Sequence, residues 1–438
     1  MDSNEKKLHR GFGLWASLAL VIGTVIGSGI FFKQGSVLSS AGGTTAGLLA
    51  WLVGGILTLA SGLSIAELGS QMTKTGGIFQ YIGHIYGKTW GFLTGWMQVI
   101  FYGPAMMGAI ATYFSYLCLG LFGLPQKYSL ILSAVTLMFI GLLNSIPNRF
   151  SAGFQIVTTI IKLLPVLALV IFGFFFGQND AFGQAVHQVS NSGGGFGVAI
   201  LATLFAYDGW VTLANISGEI KNPRQTLPKA IVLGIVLVIF AYVGVTYGVY
   251  QSLPANQIIS FGENATLRVA QEAFGEFGGR LLSITILVSL LGTLNGKVVS
   301  FPRVLFAMAN EGIFPFAKTF AKINMRSRTP NAAIWLMIMI AIVMMAVADP
   351  NRLSDIAIFT TFLFYIMAFV GVIKLRRHNT MGVKPGFSTP FFPMIPLVAI
   401  AGSLYVEISE IYYDFYGVVI SLLIVAVGYP IYLYLKRH

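Results

Sequence analysis

The sequence predicts an integral membrane protein built entirely of α-helices. Apolar residues make up 56% of the 438-residue chain and charged residues only 10%, whereas a soluble domain carries roughly 25% charged residues. A chain this apolar uses lipid as its solvent, and lipid permits only helices or closed barrels. The apolar runs are long enough for transmembrane helices, which need about 20 residues, and they lack the alternation of barrel strands. We therefore expect an all-α integral membrane fold.

Twelve apolar runs are predicted as transmembrane helices. The polar stretches between them are short, so we expect residues 1–438 to form a single transmembrane domain. The third run is the longest, which favours a tilted helix. Numbered as spans one to twelve, the runs cover 14–32, 45–68, 90–120, 128–146, 154–176, 196–216, 228–251, 280–302, 332–348, 353–374, 390–407 and 413–434.

The distribution of basic residues predicts the orientation. With a cytoplasmic N-terminus, most of the 27 Lys and Arg residues fall in cytoplasmic loops, which is the positive-inside pattern. This orientation explains the net charge of +12, so we expect no nucleic acid as a partner. We expect a multi-pass protein of the cell (cytoplasmic) membrane with both termini cytoplasmic, and an outer loop that carries Glu407, Glu410 and Asp414. The basic residues predicted outside are Lys33, Lys127, Arg268, Arg280 and Arg352.

The start of the chain and its single cysteine exclude two alternatives. The segment 1–10 is polar and the first apolar run is too long for a signal peptide, so we expect it to remain as span one. Cys118 alone cannot form an internal disulfide.

Two spans contain residues that weaken a helix near mid-membrane. Span one has Gly23, Gly27 and Gly29 in its centre, and each glycine costs about 1 kcal/mol of helix stability. Span six places Asp208 and Gly209 at a similar depth. Paired interruptions in corresponding spans indicate the binding site of a transporter. In span one a small-residue packing face is an open alternative, because Gly23 and Gly27 form a GxxxG pair.

The chemistry of such interruptions favours a zwitterionic ligand. An unwound membrane helix frees N–H and C=O groups, which lipid does not tolerate but a polar ligand satisfies. The N-terminus of a half-helix carries about half a positive charge and suits a carboxylate. Freed carbonyls on the preceding half-helix suit an ammonium. Paired breaks therefore predict an α-amino acid or a similar ligand.

The motifs around these positions resemble those of the L-type amino acid transporter family, within the amino acid–polyamine–organocation superfamily. The nearest resemblance is to bacterial alanine–serine–cysteine and serine–threonine exchangers. It implies twelve helices in a 5+5 inverted repeat with broken helices 1 and 6, plus two extra C-terminal helices. The first repeat would cover about 10–176, the second about 190–375 and the extra helices about 390–435. The motifs are 27–31 (GSGIF), 205–210 (FAYDGW), 218–224 (GEIKNPR) and 294–296 (LNG).

The resemblance also implies a set of substrate-binding residues. Backbone amides of Ser28 and Gly29 would hold the carboxylate, and Gly27 would allow its close approach. Carbonyls before the first break and at the second would hold the α-amino group. The implied set is Val25, Ile26, Gly27, Ser28, Gly29, Phe205, Ala206 and Asp208.

Three residues are implied in gating or coupling. Phe205 matches the aromatic residue that closes the outer gate in relatives. Lys162, in span five, matches a lysine of sodium-independent relatives that reaches the sodium position between spans one and eight. It is expected to contact carbonyls of the first break and hydroxyls of span eight, with snorkelling to a headgroup as the alternative. Tyr242 is expected near the site or Lys162.

The sequence contains further polar residues within or close to the predicted spans. Lys297 is interpreted mainly as a structural or snorkelling residue, with tuning of the inner vestibule as the alternative. Glu67 is interpreted as a helix cap or ion-pair partner. The walls of the substrate pocket are expected to include Phe101, Tyr102, Gly103, Pro104, Ser289 and Asn295.

These features predict a sodium-independent exchanger for small neutral amino acids such as alanine, serine and cysteine, working by alternating access. A proton-coupled symporter of the same fold is the alternative. A receptor without transport and a membrane enzyme are less favoured, since the spans contain no HExxH motif, no metal-ligand cluster and no paired carboxylates. We expect no cofactor or metal. Because Cys118 lies within an apolar run, we also expect no disulfide-linked heavy subunit.

Overall fold

The protein is described by a computed structural model that covers residues 11–146, 148–186, 195–378 and 386–437. These ranges are helical apart from turns and two isolated β-bridges, and they contain no β-strand. The polar segment 1–10 and the expected start of the second repeat near 190 lie outside the described residues. The all-α prediction is confirmed for the part of the chain described.

The described residues of the first half of the chain form nine α-helices, a π-helical stretch at Met97–Tyr102 and a short 3-10 helix at Gln126–Tyr128. The α-helices are α1 (Leu14–Val25), α2 (Gly29–Phe32), α3 (Gln34–Ala41), α4 (Thr44–Gln71), α5 (Ile78–Tyr86), α6 (Lys88–Trp96), α7 (Gly103–Leu121), α8 (Ser129–Ser145) and α9 (Asn148–Phe176).

The part of the second half that the structure describes contains ten further α-helices. They are α10 (Phe196–Tyr207), α11 (Thr212–Asn215), α12 (Pro223–Ser252), α13 (Ala255–Phe261), α14 (Ala265–Asn310), α15 (Ala317–Phe320), α16 (Asn331–Val347), α17 (Pro350–His378), α18 (Met394–Tyr413) and α19 (Phe415–Arg437).

Ten segments of the described chain are long and apolar enough to cross a membrane. They correspond to ten of the twelve predicted spans. The other two, spans six and nine, correspond to the shorter apolar helices α10 and α16. A multi-pass membrane protein is therefore supported, and the count of twelve spans stays a prediction.

Two predicted boundaries need correction. Span eight was expected at 280–302, but α14 covers Ala265–Asn310 and changes direction at Gly275, whose φ is 67°. Glu407 and Glu410 were expected in an outer loop, but both lie in α18 with only 4% of their surface exposed. Their apolar neighbours continue the helical pattern, so the helix extends past the point at which charge suggested a loop.

Helix α9 illustrates how the fold separates lipid-facing and interior surfaces. Its exposed apolar side chains recur at helical spacing, which indicates a lipid-facing stripe. Its polar side chains Gln155, Thr158, Thr159 and Lys162 are buried on the other side. Polar groups of a membrane helix face the interior because lipid cannot hydrogen-bond to them. The stripe comprises Ile156, Val157, Ile160, Leu164, Leu167 and Ile171.

Two ends of the helical bundle can be distinguished by contacts. At the N-terminal face, Phe12 exchanges backbone hydrogen bonds with Glu219 and Lys221, just before α12. At the far face, Lys33 follows α2 and contacts Asp355 near the start of α17. The chain therefore crosses the bundle between Phe12 and Lys33.

The N-terminal face is stabilised by a buried carboxylate. Glu67, near the end of α4, accepts hydrogen bonds from Arg376 Nε at 2.6 Å and Nη2 at 2.7 Å. The backbone N–H of Thr389 donates to it at 2.8 Å. The interpretation of Glu67 as an ion-pair partner is confirmed, and the pair ties α4 to α17 and the segment before α18.

Glu67→Gln is expected to reduce stability by about 2 kcal/mol, because Arg376 loses a bidentate partner in a largely buried position. Thermal unfolding of the purified protein in detergent measures the effect. Arg268→Gln is the matched control, since the pair of Arg268 with Glu272 is exposed and should contribute at most about 1 kcal/mol. Equal melting temperatures for the two variants would contradict the prediction.

Candidate functional site

Span one is interrupted at the predicted glycines. α1 ends at Val25, and Ile26 adopts an extended conformation with ψ of 93°. Helical structure resumes at Gly29 in α2. Among the described residues, the backbone N–H groups of Ser28 and Gly29 have no hydrogen-bond acceptor. The interruption therefore leaves two amide donors available at the centre of the bundle.

Span six is interrupted as well. α10 ends at Tyr207, Asp208 is extended with ψ of 143°, and α11 begins at Thr212. Gly209 has φ of 132°, a backbone conformation that residues other than glycine rarely adopt. A Cβ at Gly209 would also lie 2.7 Å from the carbonyl oxygen of Thr24. Glycine is thus required both for the turn and for the close approach of span one.

The two interruptions face each other. Thr24 Oγ1 lies 3.1 Å from the carbonyl oxygen of Gly209 and 3.2 Å from Thr212 Oγ1. The hydroxyl of Tyr242, on α12, lies 2.8 Å from the carbonyl oxygen of Val25 and 3.0 Å from that of Ala206. Tyr242 therefore contacts both breaks, and it lies near the site as predicted.

Lys162 is fully buried and directed at the first break. Its Nζ donates to the carbonyl oxygens of Gly23 and Ile26, both at 2.6 Å. On α14 it lies 3.2 Å from the carbonyl oxygen of Ser289 and 3.4 Å from Thr293 Oγ1. These are the contacts predicted for Lys162. Its burial excludes the snorkelling alternative.

Lys297 is buried on α14 beside the second break. Its Nζ forms an ion pair with Asp208 Oδ2, and Tyr102 donates a hydrogen bond to Asp208 Oδ1. The ammonium also lies 5.6 Å from the ring centres of Tyr102 and Phe301. This burial excludes snorkelling, and the ion pair fits the structural role that was the other part of the interpretation. Lys297 and Asp208 are intramembrane residues of opposite charge. A search of the sequence for such pairs could have matched the two.

The breaks enclose a small cavity. Its volume is about 20 Å³, and a single buried water needs about 10–15 Å³. An amino acid does not fit without movement of the walls, so the protein is in a closed conformation. The lining residues are Thr24, Val25, Gly27, Ser28, Gly29, Met106, Ile110, Phe205, Ala206, Asp208, Thr293 and Lys297.

Seven of the eight predicted substrate-binding residues line this cavity, and Ile26 does not. The carbonyl oxygen of Ile26 is already contacted by Lys162, by Ser289 Oγ at 3.1 Å and by Thr293 Oγ1 at 3.2 Å. This geometry favours a role for Ile26 in holding Lys162. Sequence reasoning missed Thr24, Met106, Ile110 and Thr293, whose ordinary helical surroundings gave no signal.

Residues suggested as pocket walls divide into two groups. Tyr102 reaches the site through Asp208, and Ser289 reaches it through Ile26. Asn295 lies apart, because its side chain forms hydrogen bonds with Asn144 at 2.9 Å and Gln155 at 2.9 Å. Its placement as a wall is therefore wrong. Asn295 instead joins α14 to α8 and α9.

The structure differs between the N-terminal face and the far face of the bundle. Towards the N-terminal face, Arg303 Nε forms a fully buried ion pair with Glu219 Oε1 at 2.9 Å. Towards the far face, a larger cavity of about 710 Å³ is lined by residues that include Phe32, Tyr113 and Glu263. Phe205 lines the small cavity and is buried against Tyr113, with ring centres 6.4 Å apart. Tyr113 in turn lines the larger cavity.

Comparisons with known proteins agree with this architecture. Residues 12–429 match the family model described as amino acid permease. The chain is 43% identical to the serine/threonine exchanger SteT of Bacillus subtilis (strain 168), covering 100% of this chain and 99% of that protein. It is 30% identical to the human b(0,+)-type amino acid transporter 1 over 86% of this chain and 78% of the other. The human cystine/glutamate transporter is 28% identical over 97% and 85%.

Gly29→Ala should disrupt the junction of the two breaks, because a Cβ at this position collides with the backbone and side chain of Ala206. We expect binding of the transported ligand to weaken at least tenfold, measured as ligand-dependent thermal stabilisation. Gly120→Ala is the control, since nothing lies within 4 Å of the Cβ it adds. Unchanged binding in Gly29→Ala would refute the close packing described.

Proposed function

The chain belongs to the amino acid permease family, and from this premise we propose that it is an amino-acid exchanger acting by alternating access. The two facing helix breaks, with free amides at Ser28 and Gly29, are the observation that carries the proposal. The names of the relatives support it, since they are transporters and one is a serine/threonine exchanger. None is an enzyme.

The proposed site binds the main chain of an α-amino acid through backbone groups. The amides of Ser28 and Gly29 would hold the carboxylate, with Gly27 leaving space for it. The carbonyl groups of Val25 and Phe205, which line the same cavity, would accept from the ammonium. Backbone groups of this kind recognise any amino acid main chain, so the side-chain walls set the selectivity.

The side-chain walls favour a small neutral substrate such as serine, threonine, alanine or cysteine. The cavity is narrow in this closed conformation, and Met106 and Ile110 contribute apolar surface. Asp208 and Lys297 neutralise each other, so neither charge is free to select a dibasic or dicarboxylic amino acid. Moving a charged side chain beside this pair would require an extra partner in a low-dielectric site.

Sodium independence is proposed from the position of Lys162. Its ammonium occupies the space between α1 and α14 and contacts carbonyl and hydroxyl oxygens there. Oxygen atoms of this kind would also ligate a metal cation, and the lysine supplies a fixed positive charge in its place. Exchange should then require no sodium gradient.

We further propose the arrangement in the membrane that the sequence suggested. The fold would comprise twelve spans in a 5+5 inverted repeat plus two extra helices, within one domain. The N-terminal face would be cytoplasmic, so the 710 Å³ cavity would open to the outside of a cell membrane. Cys118 lies inside α7, which supports transport without a disulfide-linked heavy subunit.

Reconstituted vesicles test the proposed exchange. Vesicles loaded with serine should accumulate labelled serine, threonine or alanine at equal rates in sodium and choline buffers. Empty vesicles should accumulate little, even with an inward proton gradient. Uptake into empty vesicles driven by that gradient would indicate a symporter, and dependence on sodium would contradict the role of Lys162.

Lys162→Ala is expected to yield folded protein whose exchange rate is at least tenfold lower. The variant removes the ammonium that donates to the Gly23 and Ile26 carbonyls at 2.6 Å, and loss of a buried hydrogen-bond partner costs about 1–3 kcal/mol. Initial rates of serine counterflow, normalised to protein recovered by size-exclusion chromatography, measure the effect. Lys127→Ala, at an exposed position, should retain the full rate. Wild-type rates in Lys162→Ala would refute the assignment.

A further inference from the structure

Lys33 is a buried cation next to the residue proposed as the outer gate. Its side chain is only 9% exposed, and burial of an unpaired ammonium is strongly unfavourable. Its partners therefore determine which conformations of this region are stable. Lys33 joins α2 to α3, directly after the first helix break.

The partners of Lys33 come from two other helices. Its Nζ lies 3.4 Å from Asp355 Oδ1 and 3.3 Å from Asn351 Oδ1, both on α17. It also lies 5.0 Å from the ring centre of Phe205, on α10, within the range of a cation–π interaction. The ammonium thus bridges the first break, α17 and the aromatic ring that covers the site.

Neighbouring side chains hold this arrangement in place. The hydroxyl of Tyr113 donates to Asn351 Oδ1 at 2.6 Å, and its ring packs against Phe205. Asn351 Nδ2 donates to Glu263 Oε1 at 3.3 Å. Four separate parts of the chain therefore meet around Phe205 at the far face.

We propose that the Lys33–Asp355 pair is a latch that positions Phe205 over the substrate site. The inference rests on the proposed function, because it assigns the latch to the outer gate of an exchanger. Opening requires the Phe205 ring to move away from the site, and this movement breaks its contact with the Lys33 ammonium. A contact made in one state only shifts the equilibrium towards that state by its own free energy. Lys33 therefore stabilises the closed gate, and Asp355 and Asn351 hold its ammonium above the ring.

Accessibility of a cysteine beneath the gate tests the latch. Met106 lines the closed cavity, so Met106→Cys in a Cys118→Ala background provides the only thiol of the chain. A membrane-impermeant thiol reagent should modify it slowly in vesicles. Adding Lys33→Met should raise the rate about five- to thirtyfold, the effect of losing a partly buried cation–π contact and ion pair. Lys33→Arg keeps the charge and should restore the slow rate.

Two further variants make the result specific. Arg280→Met removes a positive charge from the lining of the same far-face cavity, without any contact to Phe205, and should leave the labelling rate within twofold. Phe205→Ala removes the gate itself and should raise the rate at least as much as Lys33→Met. If Lys33→Met does not fold, Asp355→Asn removes the ion pair from the other partner and should also speed labelling.

The outcomes separate the latch from the proposed function. A wild-type labelling rate in Lys33→Met, together with fast labelling in Phe205→Ala, would overturn the latch and leave the gate intact. Unchanged labelling in Phe205→Ala would overturn both the latch and the gate. Serine counterflow by the Cys118→Ala protein, with and without Lys33→Met and with Met106 intact, reports the exchange activity independently. Fast labelling in Arg280→Met would also overturn the latch, because a change in local charge would then explain the effect.

Discussion

The central constraint on this structure is that backbone groups released inside a membrane bundle must find partners there. The break after Val25 releases carbonyl oxygens of span one in a buried part of the bundle. Lys162, Tyr242, Ser289 and Thr293 supply the donors from three other helices. The carbonyls are thereby fixed in position, while the amides of Ser28 and Gly29 remain available for a ligand. An isolated lysine is unfavourable inside a membrane. Lys162 is stabilised there by the carbonyl oxygens of Gly23 and Ile26, with which it forms hydrogen bonds.

The contacts at the two faces differ in kind. Towards the N-terminal face, Phe12 forms backbone hydrogen bonds beside α12, and a buried ion pair joins Glu219 to Arg303. Towards the far face, the Lys33 ammonium lies against the Phe205 ring, and Tyr113, which packs against that ring, lines a large cavity. The contacts at the N-terminal face thus include backbone hydrogen bonds, whereas those at the far face are made by side chains.

Sequence reasoning was most reliable where a residue violates the rules for membrane helices. The glycines of span one and the Asp208–Gly209 pair marked both breaks, and the resemblance to sodium-independent relatives indicated the partners of Lys162. It failed where the outcome depends on which helices pack together. Lys297 pairs with Asp208 across two helices, and Asn295 turns towards α8 and α9. Glu407 and Glu410 are buried in α18 although their charge suggested a loop. Thr24, Met106 and Ile110 reach the cavity only through the crossing of spans one, three and six.

An experimental structure with bound L-serine tests the central claim most directly. The serine carboxylate should lie within about 2.7–3.2 Å of the Ser28 and Gly29 nitrogens, and its ammonium should face the carbonyl groups of Val25 and Phe205. Span one should remain unwound between Val25 and Gly29. Serine bound elsewhere, or a continuous α-helix through residues 23–32, would show that the facing breaks are not the site at which the amino acid binds.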